Sequence, residues 1–174
     1  STSRGLGDVY KRQVTMRGLT QPTDTFAYPT LGLDIQKGLD WLQRCRDRGV
    51  QYGLGSKVPK HGDETFAKVD CSGAVREMIW LMSGWDIGDG SVQQHEKVKA
   101  TKFKVSSVPS ALANDNIVRI AFLSPANGGG KGHVALIFNG KTLESHGSTG
   151  PDRRVWTGAG WQGKTAVYVL GGKV

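Results

Sequence analysis

Cys71 is the side chain in this sequence whose setting best suits covalent chemistry. It lies in the run 69–73 (VDCSG), directly after Asp70, a residue typical of a helix N-cap. The apolar residues that follow recur at helical spacing: Ala74, Val75, Met78, Ile79 and Met82. A thiolate attacks carbonyl carbon, and the free N–H groups and dipole of a helix N-terminus stabilise its negative charge. The run therefore predicts a nucleophile in the first turn of a helix. The alternative is a small buried residue, which is the usual fate of a lone cysteine.

A nucleophilic thiol needs a base, and the base needs a group that orients it. His133 opens an expected strand, directly after the glycine-rich connection 128–132 (GGGKG). Glu144 and His146 lie on the next expected strand and, being two residues apart, project from the same face. Either of them can orient His133, and the residues alone leave both open. The alternative for His133 is a histidine with a purely structural role in the core.

The remaining cysteine and histidines receive no chemical role. Cys45 lies within a helical pattern among charged residues, and we interpret it as structural. His61 and His95 fall in expected loops. Two cysteines are too few for a disulfide framework, and they do not form a metal-ligand spacing with the histidines. We expect neither a metal nor an organic cofactor.

The elements that must position these residues follow from periodicity. Residues 33–48 and the run after Asp70, closed by 83–84, predict helices, and 53–68 predicts a long loop. Residues 84–116 give no clear pattern. Four strands are expected in the second half of the chain, at 117–123, 133–138, 141–146 and 165–170, with Asn139-Gly140 as a hairpin turn. Helices followed by neighbouring strands predict an α+β domain with an antiparallel sheet.

Length and charge limit the class of protein. The chain has 174 residues, which suits one domain, and a net charge of +8. It has no stretch long and apolar enough to span a bilayer and no leader that reads as a signal peptide. The basic residues are scattered and accompany no nucleic-acid-binding motif, so we expect no nucleic-acid partner. A basic surface does suit an anionic partner such as the bacterial cell wall.

The N-terminal segment does not read as part of the domain. Residues 3–13 (SRGLGDVYKRQ) resemble a translated adapter from transposase-based sequencing libraries. We therefore assign residues 1–13 to a tail and 14–174 to a single domain. The tail contains three basic residues and one acidic residue, which leaves the domain at +6.

Three runs taken together resemble the NlpC-type cysteine peptidases, a family of cell-wall hydrolases with a reduced papain-like fold. They are 70–73 (DCSG), 132–137 (GHVALI) and 142–147 (TLESHG). The resemblance extends from about residue 33 to 170. It implies that Cys71 is the nucleophile, that His133 is the base, and that Glu144 or His146 is the third residue. It also implies that Tyr52, in 51–55 (QYGLG), lies near the reacting carbonyl, although here a longer stretch separates this tyrosine from Cys71.

The resemblance also implies a reaction. The family hydrolyses amide bonds next to D-amino acids in peptidoglycan stem peptides, often the bond from γ-D-glutamate to a diamino acid. We therefore expect a monomeric endopeptidase that acts on the bacterial cell wall, delivered by a phage or secreted. Two alternatives remain: a CHAP-like peptidoglycan amidase, which keeps the same order of cysteine and histidine, and an inactive wall-binding or phage-tail module. A circularly permuted relative is disfavoured because Cys71 precedes His133.

Overall fold

The computed structural model describes residues 18–20 and 27–174, and it confirms the α+β class. The described residues form three α-helices: α1 (Ile35–Asp47), α2 (Cys71–Ser83) and α3 (Ser91–Thr101). Two short 3₁₀ helices lie at Pro109–Leu112 and Gln162–Lys164. The proposed tail, residues 1–13, lies outside the described residues.

Ten strands accompany the helices in the described part of the chain. The first five are short: β1 (Leu19–Thr20), β2 (Thr30–Leu33), β3 (Gln51–Tyr52), β4 (Lys68–Val69) and β5 (Lys104–Val105). The second half of the chain supplies β6 (Ile117–Leu123), β7 (His133–Phe138), β8 (Lys141–His146), β9 (Gly150–Asp152) and β10 (Ala166–Lys173). The predicted strands 117–123, 133–138 and 141–146 are confirmed. The fourth begins one residue later and ends three residues later than predicted.

The sheet is mixed, whereas the sequence predicted an antiparallel one. Its order is β1-β2-β10-β6-β7-β8-β9, with β5 also paired to β10. All of these pairs are antiparallel except β2 with β10, which run parallel. A separate two-stranded parallel sheet joins β3 to β4. The prediction was wrong at this point because no strand was predicted at β2, 30–33, and its partner β10 lies at the opposite end of the chain.

Both faces of the central sheet are covered, which explains why β6 and β7 are almost continuously apolar. On one face, α1 and α2 bury the larger core, with side chains such as Trp41, Met78, Ile120 and Leu136. On the other face, Ala111 and Trp156, from the segments before β6 and after β9, pack against Ala121, Ile137 and Val167 of the sheet and form a smaller cluster.

The sequence predicted helix α2 but not helix α3. Helix α2 begins after Asp70 and ends at Gly84, which adopts φ 78° and donates its N–H to the Trp80 carbonyl at 2.7 Å. Helix α3 was not predicted, and the expectation that His95 lies in a loop is wrong, because His95 lies within α3. Only Gln94 and Val98 of this helix are buried, so it carries no apolar stripe for a pattern to detect.

No helix within residues 18–20 and 27–174 is both long and apolar enough to cross a membrane.

Candidate active site

The nucleophile candidate lies at the start of α2, as its sequence context indicated. Asp70 is the N-cap, with extended backbone angles, and its Oδ1 accepts the N–H of Gly73 at 2.7 Å. Cys71 is therefore the first residue of the helix, and its side chain is 6% exposed. This position places the thiol beside the positive end of the helix dipole.

Lys57 neutralises the carboxylate beside the thiol. Its Nζ donates to both oxygens of Asp70, at 2.8 and 2.7 Å, and to the Ser72 hydroxyl at 2.5 Å. A negative charge on Asp70 without a partner would oppose formation of a neighbouring thiolate, and the ammonium group offsets that effect. Lys57 lies in the long loop predicted at 53–68, and no motif in the sequence identified it.

His133, at the start of β7, links the thiol to a buried carboxylate. Its Nε2 lies 2.9 Å from Glu144 Oε1, and because a carboxylate can only accept, the ring nitrogen donates this hydrogen bond. The Cys71 side chain lies close enough to His133 to help raise the pKa of the imidazole. With Nε2 engaged by Glu144, Nδ1 is the nitrogen left for the thiol.

The environment of this pair favours both charges. Burial disfavours the imidazolium, but the hydrogen bonds with Cys71 and Glu144 outweigh it and raise the pKa of His133 to about 9. Burial likewise disfavours the Glu144 carboxylate, but hydrogen bonds from His133, Arg154 and Thr142 outweigh it and lower the pKa of Glu144 to about 2. Both groups are therefore charged at neutral pH.

Glu144 contacts His133, and His146 has a different partner. The pairing of Ile137 with Thr142 shows why both were candidates: alternation places His133, Glu144 and His146 on one face of the β7–β8 hairpin. His146 Nε2 lies 3.0 Å from Asp152 Oδ2 on β9.

His146 nevertheless lies at the same opening as His133. A small cavity of about 170 Å³ is lined by Leu123, His133, His146, Arg154 and Trp161. His146 is therefore a neighbour of His133, the candidate base.

Tyr52 lies close to Cys71, at the end of β3. Burial raises the pKa of its hydroxyl to about 12, and the charges of Cys71 and Asp70 add to that shift. The hydroxyl therefore stays protonated over the working pH range of most proteins. Tyr52 also lines a polar cavity of about 550 Å³, together with Arg46, Ser148 and Asp152 among others.

Two further residues at the site were not identified from the sequence. Arg154 donates to both oxygens of Glu144, from Nη2 at 2.6 Å and from Nε at 3.2 Å. The Trp161 ring lies under the Arg154 guanidinium, with 5.0 Å between guanidinium carbon and ring centroid, and meets the His133 ring edge-on at 5.3 Å. One signal in the sequence pointed to a residue such as Arg154: a glutamate such as Glu144, buried in a sheet, requires a cationic or hydrogen-bonding partner.

The residues without an assigned role have partners other than these groups. Cys45 is fully buried in the core, and burial raises its pKa to about 12, which fits a structural thiol. His61 lies between the Glu77 and Asp86 carboxylates, at 3.3 Å from each, and stacks on Trp80. His95 lies 2.8 Å from the Tyr168 hydroxyl.

Across the described part of the chain, no group of three or more histidine, cysteine, aspartate or glutamate residues has an arrangement that would hold a metal ion.

No protein-family model matches this chain, and a search of curated proteins found no match. The resemblance to NlpC-type peptidases therefore rests on the three short runs around Cys71, His133 and Glu144.

Proposed function

We propose that this protein is a cysteine peptidase of the NlpC type that hydrolyses amide bonds in peptidoglycan stem peptides. One observation carries the proposal: a thiol at a helix N-terminus lies beside His133 and helps to raise its pKa, and His133 in turn donates to the fully buried Glu144. A structural cysteine needs neither a basic partner nor a carboxylate behind that partner.

The arrangement supports acyl transfer through a thioester. The Cys71 thiolate attacks the amide carbonyl, and the negative charge moves to the carbonyl oxygen. Helix geometry leaves the first N–H groups of α2 without intrahelical acceptors, and those that Asp70 does not engage are suited to stabilise that oxyanion. The imidazolium of His133 then gives its proton to the leaving amine as the C–N bond breaks.

Hydrolysis of the thioester completes the cycle. Neutral His133 removes a proton from water, the resulting hydroxide attacks the thioester carbonyl, and the carboxylic acid leaves as the Cys71 thiolate departs. The imidazolium and thiolate are then restored. Each turnover consumes one amide and one water, and Glu144 stays charged throughout.

The choice of peptidoglycan rests on the resemblance of the three sequence runs, with support from the surface. The net charge of +6 that the domain carries without the tail suits an anionic wall polymer. The polar cavity that Tyr52 lines is large enough, at about 550 Å³, for part of a peptide, and neither Cys71 nor His133 is among its lining residues.

Digestion of purified peptidoglycan tests the proposal directly. The protein is incubated with peptidoglycan and with soluble muropeptides, and the products are identified by mass spectrometry. We expect new amino termini on the diamino acid. The Cys71→Ala variant should release none, whereas the matched Cys45→Ala variant should retain activity, because Cys45 lies in the core.

The products also separate the alternatives. Release of intact stem peptides from the sugar chain would instead identify an amidase of the CHAP-like kind. Binding of peptidoglycan without any new amine would identify a wall-binding module. Digestion by Cys71→Ala equal to that of the parent would exclude the cysteine mechanism.

A further inference from the structure

Arg154 contacts the same carboxylate as the candidate base. Its Nη2 donates to Glu144 Oε1 at 2.6 Å, and His133 Nε2 lies 2.9 Å from that same oxygen. Its Nε donates to Oε2 at 3.2 Å. We propose that Arg154 is a positioning residue that fixes the Glu144 carboxylate and, by sharing its negative charge, limits how firmly Glu144 stabilises the His133 imidazolium. This inference rests on the proposed function, in which His133 is the acid and the base.

The backbone of Arg154 is held against the strand that carries Glu144. Its N–H donates to the Thr142 hydroxyl at 2.7 Å, and its carbonyl accepts the N–H of Thr142 at 2.8 Å. The adjacent Arg153 donates to the carbonyls of Thr142 and Phe138, both at 3.1 Å. The two backbone hydrogen bonds of Arg154 itself to Thr142 place its guanidinium beside Glu144, two residues further along β8.

Trp161 keeps the two cationic groups together. Its ring lies 5.0 Å from the guanidinium carbon of Arg154 and 5.3 Å from the His133 ring centroid. A cation over an indole face is attracted to it, so the contact restricts the guanidinium to the position from which it reaches Glu144.

Charge sharing has a chemical consequence. Glu144 has no exposed surface, so its charge acts on its neighbours with little screening by water. If Arg154 were absent, that charge would act mainly on the imidazolium and would hold its proton more tightly. An imidazolium held too firmly gives its proton to a leaving amine more slowly. Arg154 therefore acts through Glu144 and need not touch the substrate.

The other groups around His133 define what else can change its protonation. Cys71 faces it from α2, Glu144 contacts it from β8, and His146 lines the same small cavity. Trp161 faces it without a charge. Arg154 is the group whose charge reaches His133 through the shared carboxylate.

The test measures the alkylation of Cys71 by iodoacetate as a function of pH. The imidazolium attracts this anionic reagent to the thiolate, so the rate falls as His133 loses its proton. In the parent protein we expect this fall near pH 9, the pKa of His133. In Arg154→Met the fall should move up by about one pH unit. A parallel series on Cys71→Ala subtracts any reaction at Cys45.

Arg153→Met is the matched control. It removes one positive charge at the neighbouring position, and the Arg153 side chain donates to backbone carbonyls, not to Glu144. Its profile should coincide with that of the parent. Arg154→Lys, which keeps the charge, should recover at least half of the shift. If Arg154→Met does not give a folded circular dichroism spectrum, Arg154→Gln is measured in its place.

Three results would overturn the inference: an unmoved profile in the folded Met or Gln variant, an equal shift in Arg153→Met, or no recovery with lysine. Iodoacetate needs no peptide substrate, so failure of this inference is distinguishable from failure of the proposed function. A shifted profile in a protein that releases no peptidoglycan amines rejects only the hydrolase. Normal hydrolysis with an unmoved profile rejects only the role of Arg154.

Discussion

The protein has two histidine–carboxylate pairs on neighbouring strands, His133 with Glu144 and His146 with Asp152. The ring nitrogen to oxygen distances are nearly equal, at 2.9 and 3.0 Å, and the two histidine side chains are equally exposed at 16%. The carboxylates differ: Glu144 is fully buried, whereas Asp152 keeps 21% of its side chain exposed.

The cationic partners of the two carboxylates differ as well. Arg154 lies 2.6 Å from Glu144, but Arg46, itself about half exposed, lies 3.6 Å from Asp152. Water screens the second pair more than the first. Only His133 also reaches a thiol. Similar hydrogen-bond geometry therefore gives different chemistry, because burial and the third partner determine how strongly each imidazole is charged.

The largest expected difference between the pairs is the loss of each histidine. We expect His133→Gln to lower kcat/KM for muropeptide hydrolysis by about 10³-fold or more, because general acid–base catalysis at the thiol is lost. His146→Gln should lower it by less than about tenfold, because His146 only lines the cavity. The measurement is initial rates with a fluorescent muropeptide. Equal losses in the two variants would contradict the assignment of His133 as the base.

The carboxylates give the next largest difference. Glu144→Gln keeps an acceptor for His133 but removes the charge. A hydrogen bond to a charged group contributes about 1.5–3 kcal/mol, so kcat should fall roughly 10- to 150-fold. Asp152→Asn, at the exposed pair, should change kcat by no more than about fivefold. A greater loss in Asp152→Asn than in Glu144→Gln would reverse the ranking of the two pairs.

The pH dependence of activity follows from the pair of His133 with Glu144. His133 must carry a proton to release the amine, and its pKa is raised to about 9, so kcat/KM should fall by about tenfold per pH unit above pH 9. A fall that begins near pH 6.5, the ordinary histidine value, would show that Glu144 does not stabilise the imidazolium.

The raised pKa of His133 and the lowered pKa of Glu144 also predict how these two residues affect folding stability. The raised pKa of His133 contributes stability that is complete below about pH 6.5 and lost as the pH rises through about 9. The lowered pKa of Glu144 contributes stability that is present above about pH 4.5 and lost as the pH falls through about 2. The contribution of this pair to the melting temperature should therefore be greatest between about pH 4.5 and 6.5. Glu144→Gln should flatten that maximum in thermal melts at a series of pH values.

The smallest effect is expected at Arg46, which lies beside the pair of His146 with Asp152. Arg46 is about half exposed and 3.6 Å from Asp152, so Arg46→Gln should change the free energy of unfolding by less than about 1 kcal/mol in urea denaturation. Its effect on the iodoacetate profile of Cys71 should be undetectable. A shift comparable to that of Arg154→Met would show that the second pair also acts on His133.

Local sequence determined much of the fold and of the candidate site. Asp70 and the apolar spacing after it determined that Cys71 begins a helix, because capping and a buried stripe act over a few residues. Period-two alternation placed His133, Glu144 and His146 on one face of a hairpin closed by Asn139-Gly140. Helix α3 escaped prediction because it buries only two residues.

Tertiary structure decided which of Glu144 and His146 contacts His133, a choice that strand alternation left open. Glu144 and His146 share a face, so only the arrival of β9, which gives Asp152 to His146, separates their roles. The same return of the chain brings Arg154 to Glu144 and Trp161 to His133. The parallel pairing of β2 with β10 joins segments from opposite ends of the chain. These contacts depend on side chains far apart in sequence meeting in a buried space, and no local periodicity encodes such a meeting.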